Sequence, residues 1–449
     1  MNARAELNQD VMKAVESLKY RVTVGDVAAQ AGLNVETAQQ GLLALASETQ
    51  GHLQVSEAGE IAYEFPKNFR SVLRNKYWQL RFQAIAAKIW QVVFYIIRIS
   101  FGIILMLSIA VIFIAIFALT IAASSQGGGD RDDRGGGGGF MISPLNFFYL
   151  FDFNRGRRYG ARGGRYPNQY SGSRSGRGAA AQSGEKLNFL EAIFSFLFGD
   201  GDPNADLEER RWRNIGAVIS NSGGAIAAEQ VVPYLDDTGE GWNQEYEDYM
   251  LPVLSRFDGR PEVSPTGELV YYFPTLQVSA AQRSTTAVGA YLKEAKRKFT
   301  AATSDQVMIA IGLGGLNIVG ALVLRNMLQS AVAQGVVFTG YLALVQSIFW
   351  ILLSYGVAFL AIPLIRYYWV QWRNRKIEKR NEARQDRAIM LNQLGAAYQE
   401  KLAFARQFAD KKVLRAEESV YSTETDLLEQ ESDRDDQIEA EFRRRLNET

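Results

Sequence analysis

The chain has no cysteine and a single histidine, His52, in 449 residues. Disulfides, thiolate nucleophiles, cysteine-ligated iron–sulfur clusters and metal sites made of clustered histidines are thereby excluded within the chain. His52 follows Gly51 at the predicted start of a hairpin, where a solvated turn residue accounts for it, and it is assigned no catalytic role. Lysine and arginine are missing from Val22 to Pro66, a stretch that carries Asp26, Glu36, Glu48, Glu57 and Glu60. Charge of either sign is missing from 99–123, 307–324 and 341–365. The first 30 residues lack an uninterrupted apolar run, so a cleaved secretory signal is not expected. The even balance of 49 basic and 49 acidic residues therefore conceals strong local asymmetry.

What is present is a repeat. Leu53 to Pro66 reads LQVSEAGEIAYEFP, and Pro261 to Pro274 reads PEVSPTGELVYYFP. Val55/Val263, Ser56/Ser264, Gly59/Gly267, Glu60/Glu268, Tyr63/Tyr271, Phe65/Phe273 and Pro66/Pro274 coincide, half of the 14 positions. Before the first motif, Val11, Ala14, Val15 and Leu18 form one helical stripe, and Val24, Val27 and Ala28 begin a second, short helix. Asn34 is placed to cap a third helix in which Leu42, Leu43 and Leu45 are expected to face inwards. Alternation through Leu53, Val55, Ile61, Tyr63 and Phe65 predicts a hairpin, which makes the order that of a winged helix. In the second copy Ile215, Val218 and Ile219 match Val11, Ala14 and Val15, and Val231 matches Val27. After a longer turn from Asp236 to Asn243, Met250, Leu251 and Val253 match Leu42, Leu43 and Leu45. Asp206 and Glu209 have the spacing of a capping box for its first helix.

The fold class predicted is an α+β membrane protein with two winged-helix-like modules, about three transmembrane helices and a long C-terminal helix. Module 1 occupies 1–66 and a basic juxtamembrane helix 67–98; transmembrane helices follow at 99–123, 306–325 and 341–365, each near the ~20 apolar residues a span needs. A Gly/Arg-rich linker, expected to be disordered, fills 124–186 around an apolar patch at 140–153, and 187–205 reads as an apolar interfacial segment. Module 2 covers 206–274, a second basic helix 275–305, and a charged helical C-terminal region 366–449. In that last region Leu391, Leu394, Tyr398, Leu402, Ala405 and Phe408 form a stripe expected to pack on the same chain, ahead of a mobile acidic end. Asn317 and Gln346 are expected to be buried interhelical hydrogen-bonding groups.

Basic residues precede the first span and follow the last, so both ends favour the same, cytoplasmic side. Three crossings cannot satisfy both. Either the chain returns between 124 and 205, leaving both modules on one side, which is the favoured arrangement, or module 2 lies on the opposite face.

The acidic third helices argue against nucleic-acid binding and for docking of a protein partner, with Glu36, Glu48, Glu245, Glu247 and Asp248 as candidate interaction residues. Arg74, Lys76, Arg81, Lys88, Lys293, Lys296, Arg297 and Lys298 are candidate membrane-surface residues facing anionic lipid. The Arg/Gly stretch from Arg155 to Arg177 reads as a flexible basic linker, with lipid or RNA binding as its alternatives. Asp200, Asp202, Asn204 and Asp206 open like a calcium loop, but Ala205 and Arg211 stand where such a loop needs glycine and glutamate. No catalytic residue, cofactor or metal is expected, and the chain is read as a non-enzyme.

The segment FLEAIFSFLFGDGDPN from Phe189 to Asn204, together with Arg256 to Pro261 and the two wings, resembles a poorly characterised family of cyanobacterial membrane proteins with chloroplast counterparts in plants. Plant members sometimes carry an iron–sulfur cluster biosynthesis label, which a chain without thiolates does not fit. The resemblance implies a thylakoid or cytoplasmic membrane of a photosynthetic cell, and supplies no catalytic residues. The leading expectation is a membrane scaffold or assembly factor, with photosystem biogenesis as its client process and photosynthetic complexes or their assembly factors as partners. The alternatives are a small transporter or channel regulated by the modules, and a membrane-tethered nucleic-acid-binding regulator.

Overall fold

The computed structural model describes residues 9–76, 78–126, 188–236, 247–281, 285–415 and 419–447. The apolar patch at 140–153, the Arg/Gly stretch and Glu245 lie outside the described residues. The chain is mixed helix and sheet and divides into two compact units. One comprises Met1–Lys88, Asp202–Arg297 and Trp372–Thr449; the other comprises Ile89–Gly201 and Lys298–Gln371.

In the first unit, α1 (Gln9–Ser17) leads through β1 (Arg21–Thr23) to α2 (Val24–Ala31) and α3 (Val35–Thr49), then to β2 (His52–Ser56) and β3 (Ile61–Glu64). Local chemistry sets these boundaries. Thr23 and Asp26 form a reciprocal capping box on α2, which Gly32 ends at φ +66°, and Asn34 Oδ1 accepts from Glu36 N at 2.8 Å to start α3. β3 pairs antiparallel with both β1 and β2.

The repeated motif proves to be a turn. Ser56 N donates to Glu60 O at 3.0 Å and Ser264 N to Glu268 O at 2.8 Å, while each serine hydroxyl accepts the backbone N–H of the glutamate. Gly59 and Gly267 supply the positive φ, +79° and +86°, that the turn requires. Tyr63, Phe65, Tyr271 and Phe273 are buried, so the shared residues build a hairpin and its core face rather than a reactive site.

α4 (Phe69–Lys76) and α5 (Trp78–Gln126) follow, and after α6 (Phe189–Phe198) the second copy begins at α7 (Leu207–Asn221). It continues through β4 (Ala225–Ile226), α8 (Leu251–Phe257), β5 (Arg260–Val263) and β6 (Leu269–Tyr272). β6 lies between β4 and β5 as β3 lies between β1 and β2. Two 3-10 turns, Ala228–Gln230 and Val232–Tyr234, stand where the first copy has α2; Pro233 has no N–H to continue a helix. Asp206 is the N-cap residue of α7 but makes no side-chain cap bond, accepting instead from Arg210 Nε at 3.0 Å.

The two copies share one core: Val15, Val27, Leu42, Leu45 and Phe65 belong to the same buried cluster as Ile215, Val231, Val253, Phe257 and Phe273. Gly25 permits this approach, since a Cβ there would lie 1.9 Å from Thr275 O. Leu43 corrects the expectation that it faces inwards; it is 45% exposed.

The second basic helix expected at 275–305 does not form. α9 (Pro274–Gln277) and β7 (Val278–Ser279) are short, and residues 285–302 are free of helix and strand. α10 (Ser304–Ala333) and α11 (Gly340–Gln393) are long, and α11 runs through Pro363 to fuse the third span with the charged helix beyond it. α12 (Ala396–Ala405), β8 (Lys412–Val413), β9 (Ser419–Ser422) and α13 (Leu427–Asn447) complete the chain. The acidic end expected to be mobile thus supplies a strand, β9, which pairs with β2 and extends the first sheet to four strands.

The second unit contains the apolar helices. Within α5, α10 and α11 lie three stretches long and apolar enough to cross a bilayer. They pack through Ile112, Ala115, Ala321, Leu324, Val345 and Phe349. Asn317 Nδ2 donates to Ser108 Oγ at 2.7 Å, both groups buried, so the expected interhelical role of Asn317 is met by a serine on α5. Gln346 corrects its expectation, being exposed. α6 is too short to span; its Ile193, Phe196 and Leu197 pack on Leu105, Ile109, Ala310 and Phe359.

Candidate functional site: a braced pair of modules

No cluster of three or more His, Asp or Glu with metal-binding geometry occurs among the described residues. The side chains of the calcium-like segment are engaged elsewhere. Asp200 accepts from Ser195 Oγ at 2.7 Å, Asp202 pairs with Arg297, and Asp206 pairs with Arg210. What the first unit does concentrate is buried charge, arranged where the C-terminal region meets the module pair.

Lys401 on α12 is the centre of one cluster. Its ammonium lies 2.9 Å from Glu229 Oε1 and 2.7 Å from Glu247 Oε1, and all three side chains are buried. Burial alone would lower the Lys401 pKa, but the Glu229 charge and the bonds to both carboxylates prevail and raise it. Tyr398 stands beside them, its hydroxyl pushed up to about 12 by burial and then by the Glu229 charge.

A second cluster joins α7 to α11. Arg211 and Arg384 both pair with Asp236, and Glu294 accepts from Arg380 at 2.7 Å through each carboxylate oxygen and lies 2.9 Å from Arg384. Burial pushes the Asp236 and Glu294 carboxyls up, but the hydrogen bonds and charges of these arginines outweigh it and hold both below the usual range. Arg384 is 1% exposed and also donates to Leu292 O at 2.9 Å.

From Glu294 of the second cluster runs a strap held by asparagines. Asn381 takes the N–H and C=O of Glu294, each at 2.9 Å; Asn374 takes those of Arg297 at 2.8 and 2.9 Å; Asn204 takes those of Ala295, both at 2.8 Å. Each amide imitates a strand partner, which is why the segment has no need of a helix.

The expected interaction residues separate. Glu36 and Asp248 are exposed, Glu48 is half-buried, and Glu247 is committed to Lys401 inside the unit, so it is not a docking residue. Of the expected membrane-surface residues, Lys88, Lys293 and Lys298 are exposed; Lys296 pairs with Glu378 at 2.8 Å and Arg297 with Asp202. Arg74, Lys76 and Arg81 lie on helical backbone, and their side chains are outside the description.

Sequence reasoning missed the exposed leucines. Leu43 lies between buried Leu42 and Leu45, and its counterpart Leu251, 62% exposed, lies between buried Met250 and Val253. Alignment of the two copies puts them at one position, so the signal was present as a match and was read as core.

Fold and site together define a mixed helix-and-sheet protein that carries a duplicated module, with three helices able to span a membrane. A chloroplastic protein of Arabidopsis thaliana, described as uncharacterised, is 36% identical to it over 447 residues, covering 96% of this chain and 81% of the relative. The chain belongs to that protein's family. No protein-family profile and no solved structure matches.

Proposed function

We propose that the protein is a non-enzymatic scaffold in a photosynthetic membrane, docking protein partners on a fused pair of winged-helix-like modules during assembly of membrane complexes. One observation carries the reading: both copies keep an exposed leucine, Leu43 and Leu251, preceded in sequence by an exposed acid, Glu36 and Asp248, while Leu42 and Leu45 around the first leucine and Met250 and Val253 around the second are buried. A single exposed leucine is ordinary; the same exposure at matched positions of two diverged copies marks a face kept apart from the core. Exposed leucine and exposed carboxylate on the same part of each module suit a partner segment that is apolar and basic. The chloroplastic setting of the plant relative supports a photosynthetic membrane, and the three apolar helices support membrane anchorage.

The double variant Leu43→Asp, Leu251→Asp tests the docking face. Both residues are exposed, so the fold and membrane insertion should persist. In cells lacking the native protein, pulse-labelled membrane complexes should mature more slowly with the double variant than with wild type. Wild-type maturation kinetics with a correctly inserted double variant would remove the docking face, and with it the scaffold reading.

A further inference from the structure

We propose that α10 and α11 form a binding site for one anionic lipid headgroup, centred on Arg325. Arg98 lies 3.6 Å from Asp200, and Arg366 donates to Ser195 O and Phe196 O at 3.1 and 2.8 Å; these charges mark one border of the apolar bundle. Along α11 from Arg366 back to Gln346 the helix rises about 30 Å, the thickness of a bilayer's hydrocarbon, and carries no charged side chain between. Gln346 and Arg325 therefore mark the opposite border, at headgroup depth.

There a groove of about 440 Å³ opens between the two helices. Arg325, Gln329 and Gln346 provide donors, Leu328 and Phe349 form an apolar wall, and Trp350 lies under the guanidinium, 5.5 Å from it. Among the described residues no Asp or Glu lines the groove. Among the described residues, the arginine at this depth has only neutral amides and an indole beside it and lacks the counter-charge that Arg98 has on the other border. A phosphate or sulfonate monoanion supplies that charge through two parallel N–H bonds, and its acyl chain continues along Leu328 and Phe349. The bulk and depth of the site select a lipid over free phosphate.

The test uses the full chain reconstituted in vesicles of phosphatidylglycerol and phosphatidylcholine, extracted in mild detergent and weighed by native mass spectrometry. Wild type should retain one phosphatidylglycerol that Arg325→Gln loses, with at least a tenfold weaker apparent affinity on titration, while Arg325→Lys, which keeps the charge but not the paired N–H bonds, should bind with intermediate affinity. Should Arg325→Gln fail to fold, Gln346→Glu places a carboxylate beside Arg325 and should expel the lipid in the same way. Equal retention by wild type and either neutralised site, equal retention of phosphatidylcholine, or full displacement by millimolar inorganic phosphate would overturn the assignment.

Discussion

Lys401 shows how much one side chain can hold in this protein. It is an ammonium buried between two carboxylates on different parts of module 2, and it arrives on α12, more than a hundred residues later in the chain. Lys401→Met leaves Glu229 and Glu247 buried without a cation, which is expected to destabilise the first unit by about 3–5 kcal/mol in chemical unfolding. Replacing all three residues with apolar side chains should recover most of that loss, since the desolvation cost disappears with the charges. A single variant as stable as wild type would show that the cluster is solvated. The carboxylates of the second cluster make a separate prediction with a defined sign. Asp236 and Glu294 are held below their ordinary pKa, so their contribution is complete above about pH 5 and is lost as pH falls through the depressed folded values. Lys401 is held above its ordinary value, so its contribution is complete below about pH 10 and is lost as pH rises through the folded value. Urea midpoints measured against pH should form a plateau that falls at both ends, and Asp236→Asn should flatten the acid limb while leaving the alkaline limb in place.

At the scale of elements, the strap from Glu294 to Arg297 is stabilised by side chains that imitate backbone. Asn381→Leu removes both partners of Glu294 and strands a buried N–H and C=O, at about 1–3 kcal/mol for each group left unsatisfied. Hydrogen exchange should show the Glu294 amide losing protection while amides in the β1–β3 pairing keep theirs; unchanged protection at Glu294 would mean that the asparagine is incidental. The strap also shows where sequence reading stops. Lys293, Lys296, Arg297 and Lys298 have a spacing that suits a basic helix, and nothing local announces that Asn374 and Asn381, two turns apart on α11, will pair with that backbone. The hairpins were legible because a turn writes its own residues: Ser56, Gly59 and Glu60 close it through bonds within five positions of one another. The spans were legible because length and lack of charge suffice. β9 was not, because Ser419–Ser422 has no alternation to distinguish it from the acidic segment around it, and only the open edge of β2 gives it a partner. The corresponding edge in module 2, β5, carries Pro261, which cannot donate to a further strand. Duplication therefore produced two sheets and only one of them was extended.

At the scale of the molecule, the first unit is assembled from three stretches of chain that apolar helices separate in sequence. Met1–Lys88 and Asp202–Arg297 contribute to one buried core, and Trp372–Thr449 supplies Lys401, Arg384 and β9 to the same unit. A core cannot be divided by a bilayer, so all three stretches are expected on one face of the membrane. The strict three-span arrangement, with module 2 on the opposite face, would require Gly25 and Thr275, or Ala29 and Gly216, to give up contacts tighter than any side chain would allow. Tags at the N-terminus, in the second hairpin beside Thr266 and after Thr449 should all be cleaved from the same side of sealed, oriented vesicles, and a tag in the link at 334–339 between α10 and α11 should be protected. Both arrangements leave the N-terminal tag where it is, and α10 and α11 keep the C-terminus on the side of module 2, so the discriminating tag is the one in the second hairpin, read with that after Thr449. Protection of that tag together with the one after Thr449, with the link cleaved, would separate the modules and dissolve the shared platform, whereas its cleavage together with both termini, while the link stays protected, leaves Leu43 and Leu251 available to one partner in one compartment.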